Sequence, residues 1–211
     1  MSPGYSEGKP EKSPEQDTLS GRAGRGKDFA MIKQDIRRVW MKRIAKFEKV
    51  SVSQFEEAWR DTFGSAEERK LREIYDAVKL PKRATAGSAG YDFFAPVSLT
   101  LAPGETIKIP TGIRVWMEPE WVLKCYPRSG LGFKYRLQLN NTVGIIDSDY
   151  YDSDNEGHIF VKLTNDSNEG KTVEIHAGDG FMQGIFVEYG ITLDDDVTEA
   201  RNGGFGSTTK R

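Results

Sequence analysis

The sequence predicts an all-β sandwich or barrel, with a jelly roll among the choices, and a small helical extension ahead of it. From Pro81 onward the apolar spacing changes from the helical period to alternation, the mark of half-buried strands. Short β-rich runs follow at Val97–Leu101, Glu105–Ile109, Ile113–Met117, Val122–Tyr126, His158–Leu163, Thr172–Ile175 and Phe181–Val187. Turn signals such as Pro103-Gly104, Pro119 and Ala177-Gly178-Asp179 separate them, and no helical pattern intervenes. Many short strands without helices between them mean a sandwich or barrel.

Ahead of Pro81 the chain reads differently. Residues 1–28 hold three prolines, five glycines and almost nothing apolar, too little to offset the entropy of ordering, so disorder is expected. They contain no apolar stretch of the kind found in a secretory signal. Residues 21–49 carry ten Lys/Arg against three Asp/Glu, and Phe29, Ile32, Ile36, Trp40, Ile44 and Phe47 recur near helical spacing. One reading is a basic amphipathic helix that meets nucleic acid or a membrane surface. The other is a plain upstream extension with Met31 or Met41 as the natural start, since nothing downstream requires the segment. Residues 1–50 are therefore expected to be a disordered or basic extension, with no stable nucleic-acid partner and no membrane partner.

Residues 51–80 read as a short helical appendage. Ser53-Gln-Phe-Glu56 and Ser65-Ala-Glu-Glu68 both fit a capping box, in which side chains satisfy the orphan N–H groups of a first turn. Phe55, Ala58, Trp59, Thr62 and Phe63 form one stripe ending at Gly64. Leu71, Ile74, Tyr75 and Val78 form another, ending before Leu80-Pro81. Such stripes are packing surfaces, to be docked on the main domain or on a neighbouring subunit.

Composition narrows the chemistry of residues 81–200, the expected β domain. Among 211 residues there is one cysteine, Cys125, which cannot close an intrachain disulfide or build a thiolate zinc site. Two histidines, His158 and His176, leave little for a histidine cage. These features fit a soluble, cytoplasmic protein and exclude a disulfide scaffold, a zinc finger and a membrane span. Residues 1–80 carry 17 Lys/Arg against 14 Asp/Glu, and residues 81–211 carry 13 against 18, so the body is acidic.

Three segments are too elaborate for simple turns. In Tyr126-Pro-Arg-Ser-Gly-Leu-Gly132, Arg128 offers a planar fork of donors, and Ser129 with Gly130 lets backbone N–H groups approach an anion. The segment is neither a Walker loop nor a nucleophile elbow, so Ser129 reads as a phosphate ligand and not as a nucleophile. In Leu139-Asn-Asn-Thr-Val-Gly-Ile-Ile-Asp-Ser-Asp-Tyr150, an apolar strand leads into Asp147 and Asp149. A carboxylate held there suits a general base that orients one water, although Asp and Asn are also common turn formers. Arg201-Asn-Gly-Gly-Phe-Gly-Ser-Thr-Thr209, in the expected arm of residues 201–211, reads as a mobile arm able to stack Phe205 and wrap phosphates, or as a plain tail.

Taken in order, Ala89-Gly-Tyr-Asp-Phe-Phe-Ala95, Pro127-Arg-Ser-Gly-Leu-Gly132, Asn141 with Val143-Gly-Ile-Ile-Asp-Ser-Asp-Tyr150, Ala177-Gly-Asp-Gly-Phe-Met-Gln183 and Gly203-Gly-Phe-Gly-Ser-Thr208 resemble the five-motif signature of the trimeric dUTP diphosphatases, or dUTPases. The resemblance spans about residues 80–209. It implies a jelly-roll-like or distorted-barrel subunit in a homotrimer, with active sites at subunit contacts, that hydrolyses dUTP to dUMP and pyrophosphate. It implies Mg²⁺ held chiefly by the triphosphate, with no direct protein ligand. By motif position Asp147 resembles the general base, and Tyr150 resembles the aromatic that packs on deoxyribose and leaves no room for a 2′-hydroxyl. Asn141, with the hairpin backbone at Gly144, resembles the reader of the uracil edge. Arg128, Ser129, Gly130 and Gln183 resemble phosphate contacts, and Asp92 a supporting carboxylate. Phe205 resembles the arm aromatic over uracil, with Gly206, Ser207 and Thr208 near the γ-phosphate and Arg201 reaching the same group.

Several positions depart from that pattern. Tyr151-Asp-Ser-Asp-Asn-Glu-Gly157 is longer than the usual continuation, by about five residues, and reads as a solvated acidic hairpin tip in preference to a metal contact through Asp152, Asp154 and Glu156. Gly180 stands where many relatives carry a basic residue. The arm is one residue shorter between Arg201 and Phe205, and Thr-Thr replaces the usual Thr-Gly. A dCTP deaminase or bifunctional relative, and a regulatory binding protein of the same fold, remain alternative readings.

Overall fold

The computed structural model describes residues 41–199, 201 and 203. The chain divides into two units, residues 1–43 and residues 44–211, and the second holds the fold described here. It is mostly antiparallel β. A five-stranded sheet runs in the order β2 (Lys82–Arg83), β3 (Tyr91–Phe94), β12 (Gly180–Glu188), β7 (Trp121–Pro127), β9 (Gly144–Ile146). A three-stranded sheet places β10 (Phe160–Asn165) between β5 (Thr106–Pro110) and β8 (Leu137–Leu139). Two pairs complete the body: β11 (Val173–Ile175) with β4 (Leu99–Leu101), and β1 (Ala45–Lys49) with β6 (Ile113–Met117). Alternating side chains from these sheets meet in one core around Phe93, Leu123, Leu163 and Phe181. This is the expected all-β, jelly-roll-like architecture, with two helices on its N-terminal side and a third, short one after β7.

Each of the seven expected strand runs contains a strand, trimmed or extended by a residue or two. The first element differs from the sequence reading. Ile44 and Phe47 share the helical spacing of the basic segment, but residues 45–49 form a strand paired along β6 from Ala45↔Met117 to Lys49↔Ile113. The edge of β6 supplies ladder partners, and the Phe47 ring packs against Tyr91, Phe93 and Phe186. Tertiary pairing therefore overrides the helical spacing. The remainder of the expected basic helix, residues 29–40, lies outside the described residues.

The two expected helices are present as α1 (Val52–Phe63) and α2 (Glu68–Ala77). Neither capping box forms. Ser51, two residues before the expected cap, accepts from Gln54 N–H, and α2 begins after Glu67 with no side-chain cap. Phe55, Ala58, Trp59 and Leu71 are buried, and Val50 N–H donates to Gly112 C=O at 3.1 Å, so the helices dock on the β body of the same chain. Complete burial of Phe55 alone contributes roughly 1.5–3 kcal/mol. Phe63 escapes the stripe and is exposed.

Candidate active site

The strand register assembles one group of site residues. On the five-stranded sheet Lys82 pairs with Asp92, Asp92 with Gln183, and Gln183 with Tyr126, so these residues form a row across four strands. Just past β7, Arg128 turns back over this row, its Nε 3.2 Å from Asp92 Oδ1. Space for the guanidinium comes from Gly180, where a Cβ would lie 2.8 Å from Arg128 Nη1. Ser129 and Gly130 open a short helix, α3 (Ser129–Tyr135), where the sequence reads only as a loop. Tyr126, Pro127, Arg128, Ser129, Phe133 and Gln183 line a concavity of about 530 Å³.

A second group gathers around β9. Thr142 N–H donates to Leu139 C=O at 2.8 Å, making the tight turn between β8 and β9 that carries exposed Asn141. Asn141, Gly144, Ile146, Cys125, Leu139 and Met182 belong to the wall of a mostly apolar cavity of about 440 Å³. Burial pushes the Cys125 thiol up to about 12, so it is neutral wall and not a thiolate. Where β9 ends, Asp147 starts a 3₁₀ turn over Ser148–Asp152. Its carboxylate is half exposed and pairs with Arg201 Nη2 at 2.5 Å, and Asp149 Oδ1 accepts from Arg201 Nε at 2.8 Å. Arg201 thus reaches Asp147 and Asp149 within its own chain, and its guanidinium sits 5.7 Å from the Tyr150 ring.

The two concavities share no lining residue. Cys125 and Met182 line one, while Tyr126 and Gln183, their neighbours on the same two strands, line the other. Met182 and its cross-strand partner Pro127 also line different concavities, so the two groups are separate sites along β7 and β12. One chain brings together Asp92, Arg128, Ser129 and Gln183; separately it places Asn141 and Gly144 on the apolar cavity and gathers Asp147, Tyr150 and Arg201 at the turn after β9. Phe205, Gly206, Ser207 and Thr208 lie outside the described residues.

The longer acidic loop corrects the sequence reading. Instead of a solvated tip, residues 153–158 pack beneath Tyr150: Ser153, Gly157 and His158 are buried, and only Asp152 and Asp154 are exposed. Burial lowers the His158 imidazole to about 4, and its neutral Nε2 accepts from Gly112 N–H at 2.8 Å. Sequence reasoning missed Ser153 and Asn155 as neighbours of Tyr150. The one signal was the length of the loop. Among the described residues no group of three or more His, Cys, Asp or Glu is placed to hold a metal, and no helix is long and apolar enough to cross a membrane.

Comparison with known proteins places this geometry. The chain is 43% identical over 134 residues to a deoxyuridine 5′-triphosphate nucleotidohydrolase of Lactococcus lactis, covering 62% of this chain and 88% of that protein. It is 43% identical over 146 residues to the corresponding Actinobacillus pleuropneumoniae protein, covering 65% and 92%. The crystal structure of dUTPase from Streptococcus mutans superposes with a TM-score of 0.51 at 31% identity, covering 71% of this chain and 98% of that one. The dUTPase family model matches residues 76–209, the stretch that holds both residue groups and the arm, and the chain belongs to the dUTPase family.

Proposed function

We propose that the protein hydrolyses dUTP to dUMP and pyrophosphate as a homotrimer, with Asp147 taking the proton of the water that attacks the α-phosphorus. Family membership supports the reaction. The observation that carries the assembly is the separation of the two residue groups within one chain, where they line concavities that share no residue. A nucleotide with its base against Asn141 and Gly144 of one copy then takes its phosphate contacts, Arg128, Ser129, Gly130 and Gln183, from a neighbouring copy. Asp92 holds the Arg128 guanidinium for that task.

Tyr150 packs against deoxyribose, and the arm closes with Phe205 over uracil while Gly206, Ser207 and Thr208 meet the γ-phosphate. Arg201 spans Asp147 and Asp149 in the chain alone. An incoming triphosphate, a stronger bidentate partner, draws the guanidinium away and frees the Asp147 carboxylate for water. Mg²⁺ would arrive with the triphosphate and would supply neutralisation of phosphate charge there. A donor set of guanidinium, hydroxyl, amide and N–H groups around the 530 Å³ concavity fits such a pre-metallated anion. A general base supplies about 10²–10⁴-fold, so in-line placement and charge neutralisation carry the larger share. A single buried cysteine and no membrane-length helix among the described residues fit a cytoplasmic enzyme.

The test is incubation with Mg²⁺ and either dUTP or dCTP, following pyrophosphate and ammonia, with the assembly mass measured by light scattering. Pyrophosphate from dUTP at trimer mass is expected. Ammonia from dCTP would establish a deaminase, and no turnover of either nucleotide would overturn the reading in favour of a binding protein.

A further inference from the structure

The loop after the Asp147 motif is tied at one end to the site and at the other to the N-terminal elements. At the site end it holds Tyr150, whose side chain is almost wholly buried. A buried phenol needs both a donor and an acceptor. Asn155 Nδ2 donates to the Tyr150 hydroxyl at 2.8 Å, and that hydroxyl donates to His158 C=O at 2.9 Å. Ser153 Oγ donates to Tyr150 C=O at 2.5 Å, fixing the backbone of the same residue. Gly157 is forced by this packing: with φ at +68°, a Cβ there would stand 2.8 Å from Tyr150 C=O.

At its other end the loop is moored to β1 and α1. Glu156 adopts φ +58°, a conformation that costs a side-chain-bearing residue energy and persists only where its surroundings hold it. What holds it is the start of α1. Ser51 N–H donates to Glu156 Oε2 at 2.7 Å and Ser51 Oγ to Glu156 Oε1 at 2.6 Å. A carboxylate at that place also complements the helix dipole, in a helix with no acidic residue in its own first turn. One residue past the motif tyrosine, the Tyr151 hydroxyl donates to Glu48 of β1 at 2.6 Å, and Arg114 of β6 both stacks on the Tyr151 ring and donates to its C=O.

We infer that Asn155 is a positioning residue for Tyr150, moored through Glu156 to Ser51 at the N-terminus of α1, and that this chain of contacts sets how strictly the site refuses a 2′-hydroxyl. The β1–α1 segment then serves the active site although it contributes nothing to the substrate contacts. A Tyr150 ring free to shift by a fraction of an ångström admits the extra oxygen of a ribose. The energy of the mooring is therefore read out as sugar discrimination and not only as stability. This inference rests on the proposed function, because it takes Tyr150 as the wall against deoxyribose.

The experiment compares kcat/KM for Mg–dUTP and Mg–UTP, by pyrophosphate release, in wild type, Asn155→Ala and Ser51→Ala. Thermal unfolding is measured on each to establish the folded fraction. Asn155→Ala is expected to lower the dUTP/UTP ratio about tenfold and Ser51→Ala about threefold, losses typical of one removed hydrogen bond. A merely structural role would reduce both substrates alike and leave the ratio unmoved. A ratio within twofold of wild type in folded Asn155→Ala overturns the inference. If that variant does not fold, an unchanged ratio in Ser51→Ala overturns it equally. Wild type that hydrolyses neither nucleotide would instead sink the proposed function, so the two failures are distinguishable.

Discussion

Asp92, Gln183 and Tyr126 are neighbours because three strands lie in register, and Arg128 follows directly from the end of one of them. Asp147 and Tyr150, by contrast, follow a three-residue strand at the edge of the sheet and enter a 3₁₀ turn. On the first side the backbone ladder places the side chains. On the second side the ladder gives out after Ile146, and side chains take over: Arg201 on Asp147, Asn155 on the Tyr150 hydroxyl, Ser51 on Glu156. The contrast teaches where each half is vulnerable. A substitution on the platform removes one contact, whereas a substitution in the loop changes the position of its neighbours.

The largest effect on the loop side is expected from Asp147→Asn. It keeps the shape of the turn but removes the proposed base, so kcat is expected to fall about 10²–10⁴-fold while nucleotide binding by calorimetry persists. An unchanged kcat would remove Asp147 from its role. On the platform, Arg128→Ala is expected to cost about 10–100-fold in kcat/KM, the loss of a charge-assisted pair to phosphate. Its thermal midpoint should stay near wild type, since the Arg128 end of the Asp92 pair is about half exposed and screened by solvent. A large loss of stability would show that the platform is as interdependent as the loop.

Acid should find the loop side first. His158 has its value lowered from 6.5 to about 4 by burial, with nearby Glu156 raising it and Lys108 lowering it further. Above pH 6.5 the imidazole is neutral in both states. Below that the unfolded chain gains a proton that the folded chain refuses, so stability falls steadily until the pH reaches about 4. The loss amounts to about 3 kcal/mol. Burial raises the Glu156 carboxyl, but the bonds from Ser51 outweigh that and hold it below its ordinary 4.5, so its contribution persists above that value and fades beneath it. Unfolding midpoints between pH 7 and pH 4 measure this slope. His158→Gln, which keeps an acceptor for Gly112 N–H, is expected to flatten it. The smallest effect belongs to Asp152→Asn with Asp154→Asn. These two exposed carboxylates should change stability by no more than about 0.5 kcal/mol and leave kcat/KM within twofold. A larger change would mean that the loop acts through its charge and not through Asn155 and Glu156.

Much of this protein is legible in its residues alone. Alternation after Pro81 marks the β class, the stripes of Phe55–Trp59 and Leu71–Val78 mark two docked helices, and the order of five short motifs marks the family. These signals are local: a period of two or of about four residues, or a glycine beside an arginine, is written within a few positions of the chain. Three features lie beyond that reach. Residues 45–49 are a strand because the edge of β6 offers hydrogen-bond partners that no local pattern announces. Ser51 and not Ser53 caps α1 because Glu156, 105 residues away, meets it there. The acidic loop is packed and not solvated because Asn155 finds a buried phenol that only the fold brings within 2.8 Å. Most of the strands and two of the helices thus follow from short stretches of chain, and so does the list of candidate site residues. Which of those groups face the same way follows only from the folded molecule, because strand register and long-range hydrogen bonds join residues far apart in the chain.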